Sequence, residues 1–103
     1  MLAEREHLRL SMLAAVLPAL RRIGSRHAIS VNRLILFGSI VCPGRFSHDS
    51  DIDVAVEWRE KGDYFGLWRQ LEEELGQAVD FRELGADLFS RRVREHGLVV
   101  YES

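Results

Sequence analysis

Apolar residues in the first quarter of the chain recur at steps of three and four. Leu10, Leu13, Leu17 and Leu20 follow that step, and Val16 and Ile23 widen the stripe. This period predicts an amphipathic helix from about Glu4 to Arg26. Pro18 interrupts the pattern. Proline lacks a helix N–H and its ring crowds the preceding turn, so a kink or two abutting helices is expected. Gly24 with Arg21, Arg22 and Arg26 suits a helix C-terminus. The pattern then changes. Leu34-Ile35-Leu36-Phe37 is apolar on both faces, which makes Val31 to Phe37 a strand, and a central one. Gly38-Ser39 turns the chain. Ser39 is placed to cap a short helix through Ile40 to Cys42, ended by Pro43-Gly44.

Strict alternation returns from Asp51 to Trp58. Ile52, Val54, Val56 and Trp58 fall on one face of a second strand, and Asp51, Asp53, Ala55 and Glu57 on the other. The first set is expected to pack against helices and the second to open towards solvent or ligand. Gly62 to Gly76 reads as a helix capped by Asp63, with Tyr64, Leu67, Trp68, Leu71 and Leu75 as its stripe and Gly76 at its end. Gln77 to Leu84 is a third strand, with Val79 and Phe81 on one face and Ala78, Asp80 and Arg82 on the other. Asp87 caps a last helix, Leu88 to His96, whose inner side is Leu88, Phe89, Arg92 and Val93. Leu98 to Tyr101 forms a short edge strand. The elements follow the order α-β-(short α)-β-α-β-α-β. They predict an α/β (α+β) fold, in which a mixed sheet carries helices on one face and acidic residues on the other. The 103 residues fit a single domain, 1–103.

Composition narrows the function classes. A net charge of −2 gives no general pull towards nucleic acid or an anionic membrane. The Arg-rich stretches RRIGSR and SRRVR read as solvated helix faces. A single cysteine, Cys42, cannot form an internal disulfide and reads as a small apolar filler in a reducing compartment. No apolar run approaches the ~20 residues needed to span a bilayer, and MLAEREHLRL does not read as a signal peptide. A cytoplasmic protein is expected.

The chemistry lies between Leu34 and Trp58. Two carboxylates two residues apart on a strand share a face and raise the cost of ionising each other. A divalent cation removes that cost, and hard oxygen ligands suit magnesium. Asp80 adds a third carboxylate if its strand lies beside the Asp51–Asp53 strand. Three carboxylates can hold two divalent ions roughly 3.5–4 Å apart, the arrangement used for in-line phosphoryl chemistry. Gly38 leaves room for a phosphate near the backbone, and Ser39 offers a hydroxyl and an N–H. His48 reads as a loop histidine, Glu57 as a rim residue, and Trp58, Trp68, Tyr64 and Phe65 as core or oligomer surface.

FGS, then SDIDVAV, then AVDF, resembles the minimal nucleotidyltransferases of the DNA polymerase beta-like superfamily. The likeness extends over nearly the whole chain, including the first helix and the terminal HGLVVYES. It implies a metal-dependent transfer of a nucleoside monophosphate, AMP from ATP, with release of pyrophosphate. It implies that Gly38 and Ser39 contact the nucleotide phosphates. Asp51 and Asp53 then bind two magnesium ions, and Asp80 completes the metal site and helps activate the acceptor hydroxyl. Small members are often antitoxins encoded beside a helical HEPN toxin, and some modify a toxin tyrosine. A helical protein partner is expected on this basis, with self-association through exposed apolar residues in addition. The family usually continues Gly-Ser-x-Ala-Arg-Gly, whereas this chain has Ile40, Val41, Cys42, Pro43, Gly44 and Arg45. Arg45 is the residue that could replace the missing cation. That departure keeps a competing class in view, a binding module that neutralises a partner by covering it. A small-molecule nucleotidyltransferase is a third class.

Overall fold

The computed structural model describes residues 2–103, apart from the side chain of Leu2. Helix α1 runs as one element over Leu2–Arg26, with Pro18 inside it. Pro18 and Ala14 both face solvent. Water can therefore take the carbonyl bond that proline cannot make, and the helix does not divide in two. Val16, Ala19, Leu20 and Ile23 form its buried face. Leu10 is not part of that face. It is exposed, while Arg9 is buried. Arg9 tolerates burial because its guanidinium binds Glu6 and the Ile40 carbonyl. Of the first arginine-rich stretch, Arg22 and Arg26 pair with Glu74, as an ordinary helix face does.

Four strands form one sheet: β1 (Val31–Phe37), β2 (Ile52–Trp58), β3 (Val79–Glu83) and β4 (Leu98–Glu102). Their order is β3-β2-β1-β4, so β1 is central and β4 lies at an edge. β2 and β3 are parallel, and β1 is antiparallel to both β2 and β4. A parallel pair needs a crossover, supplied by helix α2 (Tyr64–Leu75). Asp63 caps α2 by accepting the Gly66 N–H at 3.0 Å. Gly76 closes it at φ 65°, a conformation other residues rarely adopt. Trp68 Nε1 donates to the Val79 carbonyl at 2.8 Å and Tyr64 Oη donates to that of Phe81, which straps α2 to β3. Phe65 points into solvent.

The main core joins α1 and α2 to Leu34, Leu36, Ile52, Val54, Val56, Val79, Phe81 and Val100. Ile40 and Phe46 reach into it from the β1–β2 connection. Helices α1 and α2 therefore cover one sheet face, as the alternation predicts. Helix α3 (Leu88–His96) adds partial cover to the other face, where Val93 packs on Ile35 and Ala55. Its inner side differs from the expected one. Ser90 and Val93, one turn apart, are buried, while Leu88 and Phe89 are 56% and 40% exposed. Small Ala55 admits Val93, and Ser90 is satisfied by the Gly85 N–H at 2.8 Å. Asp87 caps the helix through the Ser90 N–H at 2.9 Å. No described helix is long and apolar enough to cross a membrane.

Candidate active site

β1 delivers the chain to Phe37, whose register partner on β2 is Asp53. Gly38 then turns with φ +74°. A Cβ at this position would lie 2.0 Å from Asp53 Oδ2. Conformation and space both require glycine here. A short 3₁₀ turn covers Gly38–Val41, with Phe37 at its cap position and no side-chain cap bond. Ser39 is therefore inside the turn rather than capping it. The left-handed Gly38 starts the turn one residue early, and the Ser39 carbonyl accepts the Cys42 N–H at 3.1 Å.

Asp53 and Asp80 are register partners on the parallel strands β2 and β3, so the two carboxylates are neighbours on one face. Asp51 lies exposed just before β2. Burial pushes the Asp53 carboxyl up to about 6, aided by the charges of Asp80 and then Asp51, with Arg82 pulling back. Asp53 thus feels both other acids. Asp80 is occupied: Oδ1 accepts Arg82 Nε at 2.8 Å and Oδ2 accepts Nη2 at 3.3 Å. Among the described residues no three Asp, Glu, His or Cys side chains are gathered to hold a metal ion. The donor set nonetheless fits a hard divalent cation. It consists of carboxylate oxygens, and burial, with the charges of Asp80 and Asp51 adding to it, holds Asp53 well above the usual carboxylate range.

Arg45 sits exposed in the turn after Pro43-Gly44, its N–H donating to the Cys42 carbonyl at 3.1 Å. Among the described residues its side chain makes no hydrogen bond to Asp51, Asp53 or Asp80. The 38–45 segment is anchored instead from α1. Glu6 Oε1 accepts the Gly44 N–H at 2.9 Å, and Arg9 Nη1 donates to the Ile40 carbonyl at 3.2 Å. Arg9 and Gly44 hold the Glu6 carboxyl down at about 2. Sequence reasoning misses this pair. A Glu and Arg three apart on a helix read as a solvated pair, and no local signal says what they face.

Cys42 is exposed rather than filling the core. The core residues of this segment are Ile40 and Phe46 instead. Cys42 lines an open groove of about 230 Å³ with Phe37, Gly38, Val41 and Phe89. His48 is exposed and lines a second groove with Glu4, Arg5 and Leu8 of α1. Glu57 accepts Arg33 Nε at 2.7 Å, Arg33 Nη2 at 2.8 Å, Arg94 Nε at 2.9 Å and Asn32 Nδ2 at 2.7 Å. Those bonds make it a structural residue, and Arg94 of the second arginine-rich stretch is spent there.

A family model described as "Polymerase beta, Nucleotidyltransferase" matches residues 20–103. Among solved structures, one described as a mutant of the toxin-antitoxin MntA-HpeT is similar with a TM-score of 0.69 and 18% identity, covering 84% of this chain and 73% of that one. A second, described as the toxin-antitoxin MntA-HepT, has a TM-score of 0.63 and 20% identity, covering 84% of this chain and 70% of that one. At these identities the likeness shows the fold. No curated protein matches the chain.

Proposed function

The chain belongs to the polymerase beta nucleotidyltransferase family, and from that premise we propose that it transfers AMP from ATP to a protein hydroxyl, as the antitoxin of a toxin–antitoxin pair. One observation carries this reading. Asp53 lies against Gly38 and is paired in register with Asp80, and its carboxyl is held at about 6 by burial and its acidic neighbours. Such a charge arrangement costs stability and is explained by a cation that relieves it.

Asp51, Asp53 and Asp80 are the residues that would hold magnesium. Bound there, the metal neutralises polyphosphate charge and lowers the pKa of an attacking hydroxyl. The protein's own groups do the rest. Gly38 lets a phosphate approach the backbone, and the Ser39 hydroxyl and N–H orient it. Asp80 lies on the edge strand β3, where an acceptor hydroxyl from a docked partner can give up its proton to a carboxylate oxygen. Positioning and electrostatics supply most of the acceleration. On this reading the partner is a helical toxin of the HEPN type; the similar solved structures are described as toxin-antitoxin pairs. The acceptor on this reading is a hydroxyl of another protein, the partner of the toxin-antitoxin pair. We assign the reaction to the cytoplasm.

A second reading rests on the bonds from Arg82 to Asp80. With Asp80 closed, the domain would neutralise its partner by covering it. The two readings separate in one experiment. The protein and its co-purifying partner are incubated with ATP and magnesium, and the partner is weighed by mass spectrometry. An added AMP is expected. Full neutralisation of an unmodified partner would favour the covering module. Transfer only to a free small molecule or an RNA end would overturn the protein acceptor.

A further inference from the structure

Asp80 and Arg82 stand two apart on β3 and share its acidic face. The guanidinium engages both oxygens of Asp80, and its central carbon lies 5.7 Å from the centre of the Phe89 ring. Phe89 in turn meets Phe37 edge-on at 5.5 Å between centroids. Phe37 is the residue paired with Asp53. The arginine is thus seated on Phe89, whose ring meets that of Phe37 next to Gly38.

This ion pair is open to water. The Arg82 and Asp80 side chains are 55% and 35% exposed. Pairs of this kind contribute little to stability and break readily. The pair at Glu57 on the same face is different, being less exposed and held by two arginines and Asn32. Arg82 also differs in what it blocks. A divalent cation on Asp80 competes with the guanidinium for the same two oxygens and is repelled by its charge. The planar fork of Arg82 fits phosphate oxygens as well as it fits a carboxylate.

We propose that Arg82 is a displaceable counter-cation. It closes Asp80 while the site is without nucleotide, and turns on its Phe89 seat to bind the polyphosphate when metal and nucleotide arrive together. The inference rests on the nucleotidyltransferase reading and adds a regulation to it. Metal alone must break the Arg82–Asp80 pair with no compensation. Metal brought with a triphosphate gives Arg82 a new anionic partner. Metal and nucleotide then bind with positive coupling, which is reciprocal by linkage.

The test measures Mn²⁺ binding by electron paramagnetic resonance, with and without a nonhydrolysable ATP analogue. Wild type is compared with Arg82→Gln and Arg82→Lys. Arg82→Gln is expected to bind Mn²⁺ alone more tightly, by roughly tenfold, and to lose most of the coupling to the analogue. Arg82→Lys keeps the charge without the fork and should fall between the two. Both changes are at an exposed side chain, and circular dichroism should show the native fold retained. Equal Mn²⁺ affinity and equal coupling in wild type and Arg82→Gln would overturn the Arg82 assignment while leaving the enzyme reading intact. Absence of Mn²⁺ and analogue binding in all three proteins would overturn both.

Discussion

Asp53 and Glu57 lie four residues apart on the same strand and the same face, yet their surroundings are opposite. Glu57 is surrounded by two guanidinium groups and an amide, which hold its carboxyl down at about 2. Asp53 is half-buried beside Asp80 and near Asp51, and is pushed up to about 6. Ala55 separates them, covered by Val93 of α3. One end of the acidic face is saturated with cations and contributes to the fold. At the other end Arg82 is bound to Asp80, and burial together with the acidic neighbours penalises the charge of Asp53. A fold keeps such an imbalance at a site where a ligand relieves it. The comparison also separates an acid satisfied by cations from one that is not, without reference to any relative.

Removing the charge at each position should therefore give opposite results. The largest effect is on activity. Asp53→Asn keeps the shape and removes one of the charges proposed to hold the metal. Transfer of labelled AMP to the partner should fall by at least about 100-fold, or roughly 2.7 kcal/mol of barrier. Retained transfer would mean that Asp53 is not at the chemistry. Glu57→Gln should leave transfer measurable but destabilise the protein by about 2 kcal/mol in urea unfolding, because two partly buried arginines lose their counter-charge. An unchanged urea midpoint would show that the cationic cluster is not structural. The smallest effect is on Asp53 itself. Asp53→Asn should be more stable than wild type at pH 7 without metal, by about 1 kcal/mol after allowing for solvent screening.

The pH dependence sharpens the contrast. The folded pKa of Asp53 lies above its unfolded value. Its protonated form favours the native state, so the related stability is fully present below the unfolded pKa, roughly 3.9, and is lost as pH rises through about 6. Glu57 is depressed. Its contribution is present above the unfolded value and is lost as pH falls towards about 2. The stability gain of Asp53→Asn should consequently shrink on acidification and vanish near pH 4, whereas the deficit of Glu57→Gln should persist there in part and disappear only at lower pH. Thermal melts of the three proteins across pH 3 to 8 check both trends. Parallel pH curves for the two variants would contradict the division of the face.

Much of this was legible in the residues. Alternation assigned Asp53 and Glu57 to one face, and Asp80 to the corresponding face of its own strand. The Asp63 and Asp87 caps and the Gly76 terminus follow from local chemistry, and the structure has them where the pattern puts them. What the sequence could not give was the state of each acid, since that depends on cations distant in the chain. Arg94 reaches Glu57 from α3 and Arg33 reaches it from β1. The same limit hid Glu6 and Arg9, whose partners lie more than thirty residues away on the 38–45 segment. Arg82 is a case of the opposite kind. Its spacing from Asp80 already placed both on one face, and only the bidentate geometry reveals that the two are joined. The inner side of α3 departs from the apolar pattern because Ser90, a polar residue, is buried where a loop N–H needs an acceptor.

The claim that Asp53 is the cation-starved end of this face, and that a metal ion relieves it, is tested most directly by a carboxyl carbon NMR titration. Asp53 and Glu57 are followed together, first without metal and then with magnesium and a nonhydrolysable ATP analogue. Without metal, Asp53 should titrate at about 6 and Glu57 at about 2. With metal and analogue, Asp53 should move below the ordinary carboxylate range while Glu57 stays where it was. Two carboxyls that both titrate in the ordinary range without metal, or an Asp53 that magnesium and the analogue leave unmoved, would contradict the account.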